Sequence, residues 1–388
     1  MKIFVLLSRF PYPLEKGDKL RAYHQIRLLS QHHEIYLAAL SDQKIPSEYI
    51  EKIKPFCKEL HIINIDWFSK GCNILRFFFK GLPFQNGYFY SQRAQRKIDN
   101  LLKKINPDRI YAQLIRVAEY VKHSSIPKTL DYQDVFSKGM SRRAENAPWY
   151  SKFLFTMECR QTAKYETAIF PYFDEHTIIT GVDRDFIPHP NFRSIHVVAN
   201  GVDFDTFKYN GERKTHDLIF TGNMSYVPNI EAAEYLANVI FPALQKEIPD
   251  INLVICGANP VSRVKNLANE KITVTGWVDS IADYYAQSKI FIAPMHLGTG
   301  LQNKILEAMA IGLPCITSTL AGKPLQNITA GQDILICSTL TGYVEAVKLL
   351  LSSPEVYDEI SQNAYNYVRS NYSWEKTTER LEEIITEV

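Results

Sequence analysis

The stretch KIFIAPMHLGTGLQNKILEAMAIGLPCITS spans residues 289–318. Ile290 to Ala293 is the apolar run of a short buried strand, and a glycine-bounded loop follows, Gly298-Thr299-Gly300. From Leu301 to about Ala310 the apolar residues fall at helical spacing. Gly312 and Pro314 end that helix, and Cys315 to Ser318 begins another apolar strand. Strand, glycine loop and helix start together make an anion site. The loop amides point outward, and the helix dipole favours negative charge there by roughly 0.3–1 kcal/mol. Lys304 and Glu307 are three apart, so both lie on one side of the helix near its start. The cation suits a diphosphate and the carboxylate suits ribose hydroxyls. A glycine loop with no ligand and a solvated helix carboxylate are the plainer alternative.

Working outward, Lys2 to Ser8 reads as a first strand, RFPYPLEKGD (9–18) as a loop, and LRAYHQIRLLS (20–30) as a helix. Glu34 to Leu40 is a second strand. This order opens a doubly wound sheet. Residues 48–60 read as helix, His61 to Ile65 as strand, 97–105 as helix and Arg109 to Ala112 as strand. Thr129 to Tyr132 is a further short strand before a polar loop, and 150–170 is a long helix. The second half repeats the alternation. Strands are expected at Asp217 to Thr221, Asn252 to Cys256 and Ile272 to Thr275, and helices from Ile230 and over 279–287. Proline, asparagine and glycine cluster near 185–215 and mark a boundary.

The chain has 388 residues, room for two ordinary domains. Its hydrophobic content of 46% and charged content of 22% fit a globular protein. No apolar run reaches the roughly 18–20 residues of a membrane span. Ile3 to Leu7 is too short for the roughly 7–15-residue core of a signal peptide. Six cysteines are scattered without a C-x-x-C pair, which argues against zinc or disulfides and for a reducing, cytoplasmic setting. No histidine spacing implies a metal, and none is expected. Residues 1–200 carry 30 Lys+Arg against 20 Asp+Glu, and residues 201–388 carry 14 against 22. A basic half could meet anionic lipid or a phosphorylated acceptor, or could simply spread its charge over a solvated surface. No nucleic-acid motif is present.

The run KILEAMAIGLPCITS (304–318) resembles the signature of retaining glycosyltransferases of family 4, which have the two-domain GT-B fold. That family usually places a first glutamate eight positions before the one matched by Glu307. Here Thr299 stands at that place, so loop amides and the Thr299 hydroxyl would have to serve the donor sugar. VVANGVDFDTF (197–207) resembles the family's element after the domain linker, with Asn200 and Gly201 in a turn and Asp203 as a cap. PYPLEKGDKLRAYHQIRLL (11–29), TGNMSYVPN (221–229) and GLQNKILEAMA (300–310) resemble a subgroup of bacterial sugar transferases associated with exopolysaccharide and PEP-CTERM sorting systems. The likeness covers most of the chain and is weakest over 65–165.

The resemblance implies two Rossmann-like α/β domains facing a central cleft. Their expected extents are 1–190 for acceptor, 191–370 for nucleotide sugar, and a final helix over 371–388 packing back on the first. The donor diphosphate and sugar would lie against Gly17, Lys19, Gly222, Asn223, Gly298, Thr299, Gly300, Leu301, Gln302, Asn303 and Lys304. Gly257, Trp277, Val278 and Glu307 would border the nucleoside, although Trp277 is as readily a core residue. Classical members carry a phosphate-binding lysine where Tyr226, Pro228 and Asn229 stand, leaving Lys304 as the main diphosphate cation. The family's sugar-supporting histidine falls in LDYQDV (130–135), at Gln133 or Asp134. Asp131, Asp134 and Lys304 are therefore the candidate catalytic residues, the two aspartates being equally at home as loop caps. Lys19 and Arg21 would add charge at the diphosphate or stand as solvated cations.

The expected activity is retaining sugar transfer from a nucleotide diphosphate to a glycan or lipid-linked glycan, with no cofactor. Its rivals are a catalytically inactive nucleotide-sugar-binding relative and a nucleotide-sugar epimerase. Residues 70–90, rich in phenylalanine and lysine, read either as a segment that touches a membrane or as a core helix and loop.

Overall fold

The computed structural model describes the chain except residues 66–72, 74–76, 78–79, 146, 210, 212–213, 299 and 388. The chain divides into two compact units, Met1–Ala199 with Thr377–Val388, and Asn200–Lys376.

The first unit holds β1 (Lys2–Leu7), β2 (Glu34–Ser41), β3 (Glu59–Asn64), β4 (Arg109–Gln113), β5 (Lys128–Asp131), β6 (Glu175–Ile178) and β7 (His196–Val197). They form one parallel sheet in the order β3-β2-β1-β4-β5-β6-β7. The alternation of strand side chains divides β1 between two cores. Ile3, Val5 and Leu7 pack on one face with Ile35 and Leu37, and Phe4 and Leu6 on the other with Ile110 and Leu130. Burial on both faces explains why these strands read as unbroken apolar runs. Helix Trp374–Thr386 places Leu381, Ile384 and Ile385 in the first of those cores.

The second unit holds β8 (His216–Thr221), β9 (Leu253–Cys256), β10 (Ile272–Val274), β11 (Ser288–Ala293), β12 (Cys315–Ser318) and β13 (Leu335–Cys337). These are also all parallel, in the order β10-β9-β8-β11-β12-β13. Both units are thus Rossmann-like α/β domains.

Several elements differ from expectation. The units divide at 199/200 rather than 190/191, because β7 pairs with β6 in the first sheet. The later division falls at 376/377 rather than 370/371, inside helix Trp374–Thr386. The polar loop after β5 is instead helix Phe136–Glu145. The helix expected over 48–60 stops at Ile53, with one 3₁₀ turn around Pro55, which has no N–H to extend the helical ladder. β6, β7 and β13 are only two to four residues long, too short to carry a periodic signal.

Candidate active site

In the second sheet β8-β9-β10 and β11-β12-β13 run outward from the β8/β11 pair. The crevice beyond the carboxyl ends of such a pair is where open α/β sheets bind ligands. Two loops lead from those ends, residues 222–226 after β8 and 294–302 after β11. These hold most of the residues expected to contact a diphosphate; Thr299 lies outside the described residues.

Helix Asn303–Ala310 starts two residues later than expected, because Gln302 is still extended and its side-chain amide donates to the Gly300 carbonyl at 2.9 Å. Lys304 sits in the first turn. Its ammonium donates to Asn229 Oδ1, lies 3.8 Å from the Met295 sulfur, and stands 4.9 Å from the centre of the Phe220 ring. Burial lowers its pKa to about 8, against the opposing pull of Glu307. Glu307, one turn on, is pushed up to about 7 by burial, although Tyr285 and Lys304 favour its charged form. The Tyr285 hydroxyl donates toward Glu307 Oε2 and the Lys304 carbonyl oxygen, each at 3.2 Å, and lies 2.6 Å from Thr221 Oγ1. The carboxylate is thereby tied to the last residue of β8. A cation and a carboxylate, each poised to change charge near neutrality, stand one helical turn apart at the switch point.

The glycines at the strand ends are required by close approach. A Cβ on Gly257 would lie 1.9 Å from the Gly222 carbonyl oxygen, and one on Gly222 would lie 2.6 Å from Asn229 Nδ2. Asn229 in turn donates to the Asn223 carbonyl at 3.0 Å, so one amide clamps the loop and holds Lys304. Asn223 uses its own Oδ1 on Ser225, from the backbone N at 3.1 Å and the hydroxyl at 2.8 Å. Gly298 has a left-handed φ of 96°. Leu301 and Asn303 are partly buried. Trp277 is 75% exposed, which removes the core alternative, and Val278 is half-buried next to it. Asn200 to Phe207 is structural. A Cβ on Gly201 would strike the Trp374 backbone at 2.5 Å, and Asp203 accepts from the Asp205 backbone N and the Thr206 hydroxyl.

The first unit corrects one catalytic assignment. Asp131 is fully buried and its oxygens are spent within the fold. Oδ2 takes Arg21 Nε at 2.8 Å and the Tyr111 hydroxyl at 3.0 Å; Oδ1 takes Arg21 Nη2 at 3.2 Å and the Thr177 hydroxyl at 2.8 Å. It has no face left for a substrate. Arg21 is equally buried and is not a solvated loop cation. Asp134 is exposed, and Gln133 before it has a left-handed φ of 60°. Gln133 Nε2 is buried with no hydrogen-bond partner among the described residues. Gly17 is the exposed first residue of helix Gly17–Leu29, with open space around its Cβ position, so nothing within the fold demands glycine there. Lys19 lines a cavity of about 330 Å³ at the carboxyl ends of β1, β2 and β3, and its amine reaches the Tyr12 carbonyl at 3.4 Å. Burial lowers its pKa, with Lys16 the next cause.

Residues 215–353 match the family model for glycosyl transferases group 1. Over 400 aligned residues the chain is 23% identical to an uncharacterized 44.6 kDa protein in the cps region of Klebsiella pneumoniae, covering 97% of each chain. Sucrose-phosphate synthase from Thermosynechococcus elongatus shares the fold, with a TM-score of 0.68 at 12% identity, over 100% of this chain and 99% of that one. Anabaena Alr3699/HepE, solved in complex with UDP, gives the same TM-score at 11% identity over all of both chains. The fold is that of GT-B glycosyltransferases.

The group 1 segment contains Gly222, Lys304 and Glu307 together with two residues that sequence reasoning did not place in the site. Asn229 was visible only as a missing lysine, and its part as the acceptor for Lys304, 75 positions away in sequence, emerges only in the fold. Tyr285 lay in an amphipathic helix with nothing to mark it as the link between Thr221 and Glu307.

Proposed function

We propose that the protein is a retaining glycosyltransferase. It would move a sugar from a nucleotide-diphosphate donor to a glycan or lipid-linked glycan in cell-surface polysaccharide or glycoconjugate synthesis. The observation that carries this reading is the Lys304–Glu307 pair at the β8/β11 switch point, inside the segment that matches glycosyl transferases group 1. The relative in a cps region supports the polysaccharide setting, and the fold shared with a UDP complex supports the donor class.

In this reading Lys304, the glycine-loop amides and the start of helix Asn303–Ala310 hold the leaving diphosphate, and Glu307 takes the ribose hydroxyls. Charge developing on the diphosphate is the largest target for stabilisation, and Lys304 is already held by Asn229 before the reaction begins. Lys304 acts as an electrostatic catalyst. No protein nucleophile is required where the acceptor attacks on the leaving-group face and the departing phosphate takes its proton. Asp134 and Gln133 are the first-unit groups available to a sugar or acceptor hydroxyl, and Asp131 positions the strand end beneath them through Arg21. Gly257, Trp277 and Val278 border the base. No step calls for a metal or other cofactor.

The protein would act as a peripheral protein on the inner membrane face. Among the described residues no helix is long and apolar enough to cross a membrane. Support for surface contact comes from helix Trp149–Ile169. Trp149, Tyr150, Phe153 and Leu154 at its start are 87%, 73%, 77% and 48% exposed. At 100° per residue, Arg160 and Lys164 continue that face and Lys152 flanks it, all three exposed. The earlier candidate, residues 70–90, has Phe77 only 4% exposed, while Arg76, Phe78 and Phe79 lie outside the described residues.

The chemistry is tested by proton NMR of the anomeric proton during slow hydrolysis or transfer, run over a panel of nucleotide-diphosphate sugars. Release of the sugar with the donor's own anomeric configuration is expected. First-formed product of the opposite configuration would overturn retention, and release of a C2-epimerised sugar would replace transfer by epimerisation.

A further inference from the structure

The first sheet has its own switch point. β1-β2-β3 and β4-β5-β6-β7 run outward from the β1/β4 pair. The loop after β1 carries Arg9, and the loop after β4 carries Arg116. Both guanidinium groups gather on one aromatic ring. Arg9 Cζ lies 5.8 Å and Arg116 Cζ 5.1 Å from the centre of Phe89. Arg116 also stands 4.7 Å from the centre of Phe136, so two aromatic side chains hold its planar fork.

These cations are unequally neutralised. Arg9 pairs with Asp18 at 3.0 Å. Arg116 donates from Nε to Gln85 Oε1 at 3.3 Å and forms no ion pair among the described residues. Burial lowers the Arg116 pKa to about 10, with neighbouring Arg9 the next cause. Arg9 opens onto the 330 Å³ cavity together with Lys16 and Lys19, and Asp42 is the one carboxylate among the described residues of its lining. Two guanidinium groups fixed around one ring repel each other; Asp18 pairs with Arg9, whereas Asp18 and Asp134 offset Arg116 without pairing with it among the described residues. An anion bridging the pair would relieve that repulsion and use the forks of both side chains. Apolar Phe10, Leu40, Ile45 and Ile65 in the same cavity leave room for a body attached to that anion.

We propose that Arg9 and Arg116 form a recognition site for an anionic group, a phosphate or a carboxylate, carried by the acceptor. That the ligand is an acceptor rests on the glycosyltransferase reading; that the site binds an anion does not. Asp18 orients Arg9, and Phe89 and Phe136 orient Arg116. The site belongs to the first unit alone and uses none of the groups around Lys304.

The test is calorimetric titration of the full chain, with Lys304→Gln as background so that the second unit's cation does not contribute. Inorganic phosphate and glucuronate are the two probes. One of them should bind in low salt, and adding Arg116→Gln should weaken it at least ten-fold. Binding of phosphate alone names a phosphorylated acceptor; binding of glucuronate alone names an acidic sugar. Arg116→Lys, which keeps the charge and loses the fork, should recover only part of the affinity. Failure of both probes to bind the background protein would overturn the site, as would affinity unchanged by Arg116→Gln. Should Arg116→Gln not fold, Arg9→Gln at the more open position reads the same loss. Nucleotide-sugar binding to the wild type is scored separately. Its absence with anion binding intact refutes the donor reading and leaves this site standing; the reverse pattern refutes this site.

Discussion

Asp131 holds Arg21 through both carboxylate oxygens, at 2.8 Å to Nε and 3.2 Å to Nη2, with both side chains fully buried. Removing one partner leaves a charge stranded in the core, which costs about 3–5 kcal/mol. Asp131→Ala should therefore lower the melting temperature of its unit by about 6–20 °C, at roughly 2–4 °C per kcal/mol for a domain of this size. Differential scanning calorimetry reads this. Wild-type melting with abolished transfer would mean that Asp131 acts on substrate after all.

Gly257 and Gly222 should tolerate no side chain. A Cβ on Gly257 meets the Gly222 carbonyl oxygen at 1.9 Å, so Gly257→Ala must push the ends of β8 and β9 apart. The expected loss is about 1–3 kcal/mol, with weakened donor binding because the same movement displaces Asn229 from Lys304. Gly17→Ala has open space at its Cβ and should change stability by less than about 0.5 kcal/mol. Chemical denaturation of the two variants makes the comparison, and equal stabilities would refute the close-approach argument.

Donor affinity should be bell-shaped in pH. Diphosphate binding needs Lys304 charged, and burial brings its pKa to about 8, so affinity should fall as pH rises through 8. Ribose binding is best with Glu307 ionised, and burial raises its pKa to about 7, so affinity should also fall as pH drops through 7. Folding stability has the opposite signs. The raised Glu307 pKa gives stability that is present at low pH and lost as pH rises through about 7. The lowered Lys304 pKa gives stability that is present at high pH and lost as pH falls through about 8. Ligand-free protein should thus gain least from this pair between pH 7 and 8, where donor binds best. Titrations from pH 6 to 9 check both limbs, and a flat profile would remove Lys304 and Glu307 from the binding step.

The exposed start of helix Trp149–Ile169 should bind anionic vesicles. Co-sedimentation with phosphatidylcholine vesicles containing phosphatidylglycerol should retain the protein, and pure phosphatidylcholine should not. Trp149→Ala with Phe153→Ala should reduce binding at least ten-fold without altering the melting temperature, since both side chains are more than three-quarters exposed. Unaltered sedimentation of that double variant would place the contact elsewhere, and its loss of a concentration-dependent dimer would assign the face to a second copy.

Long apolar runs carried the fold. β1, β2, β8 and β11 are buried on both faces, and their sequences say so without neighbours. β6, β7 and β13 borrow their strand state from the sheet edge they extend, and no local pattern marks them. Lys304 and Glu307 were legible because one helical turn sets their relation. Asp131 misled because the sequence near it cannot show Arg21, 110 positions earlier, occupying its oxygens. The same holds for Arg9 and Arg116, brought together on the Phe89 ring.

The most direct measurement is a calorimetric titration of wild type, Lys304→Gln and Glu307→Ala with a panel of nucleotide-diphosphate sugars and the free nucleotides. Selective binding of one nucleotide sugar is predicted, with affinity cut at least ten-fold by either substitution, which is about 1.4 kcal/mol. Binding that survives both substitutions, or no binding by the wild type to any member of the panel, would contradict the assignment of the β8/β11 switch point as the donor site.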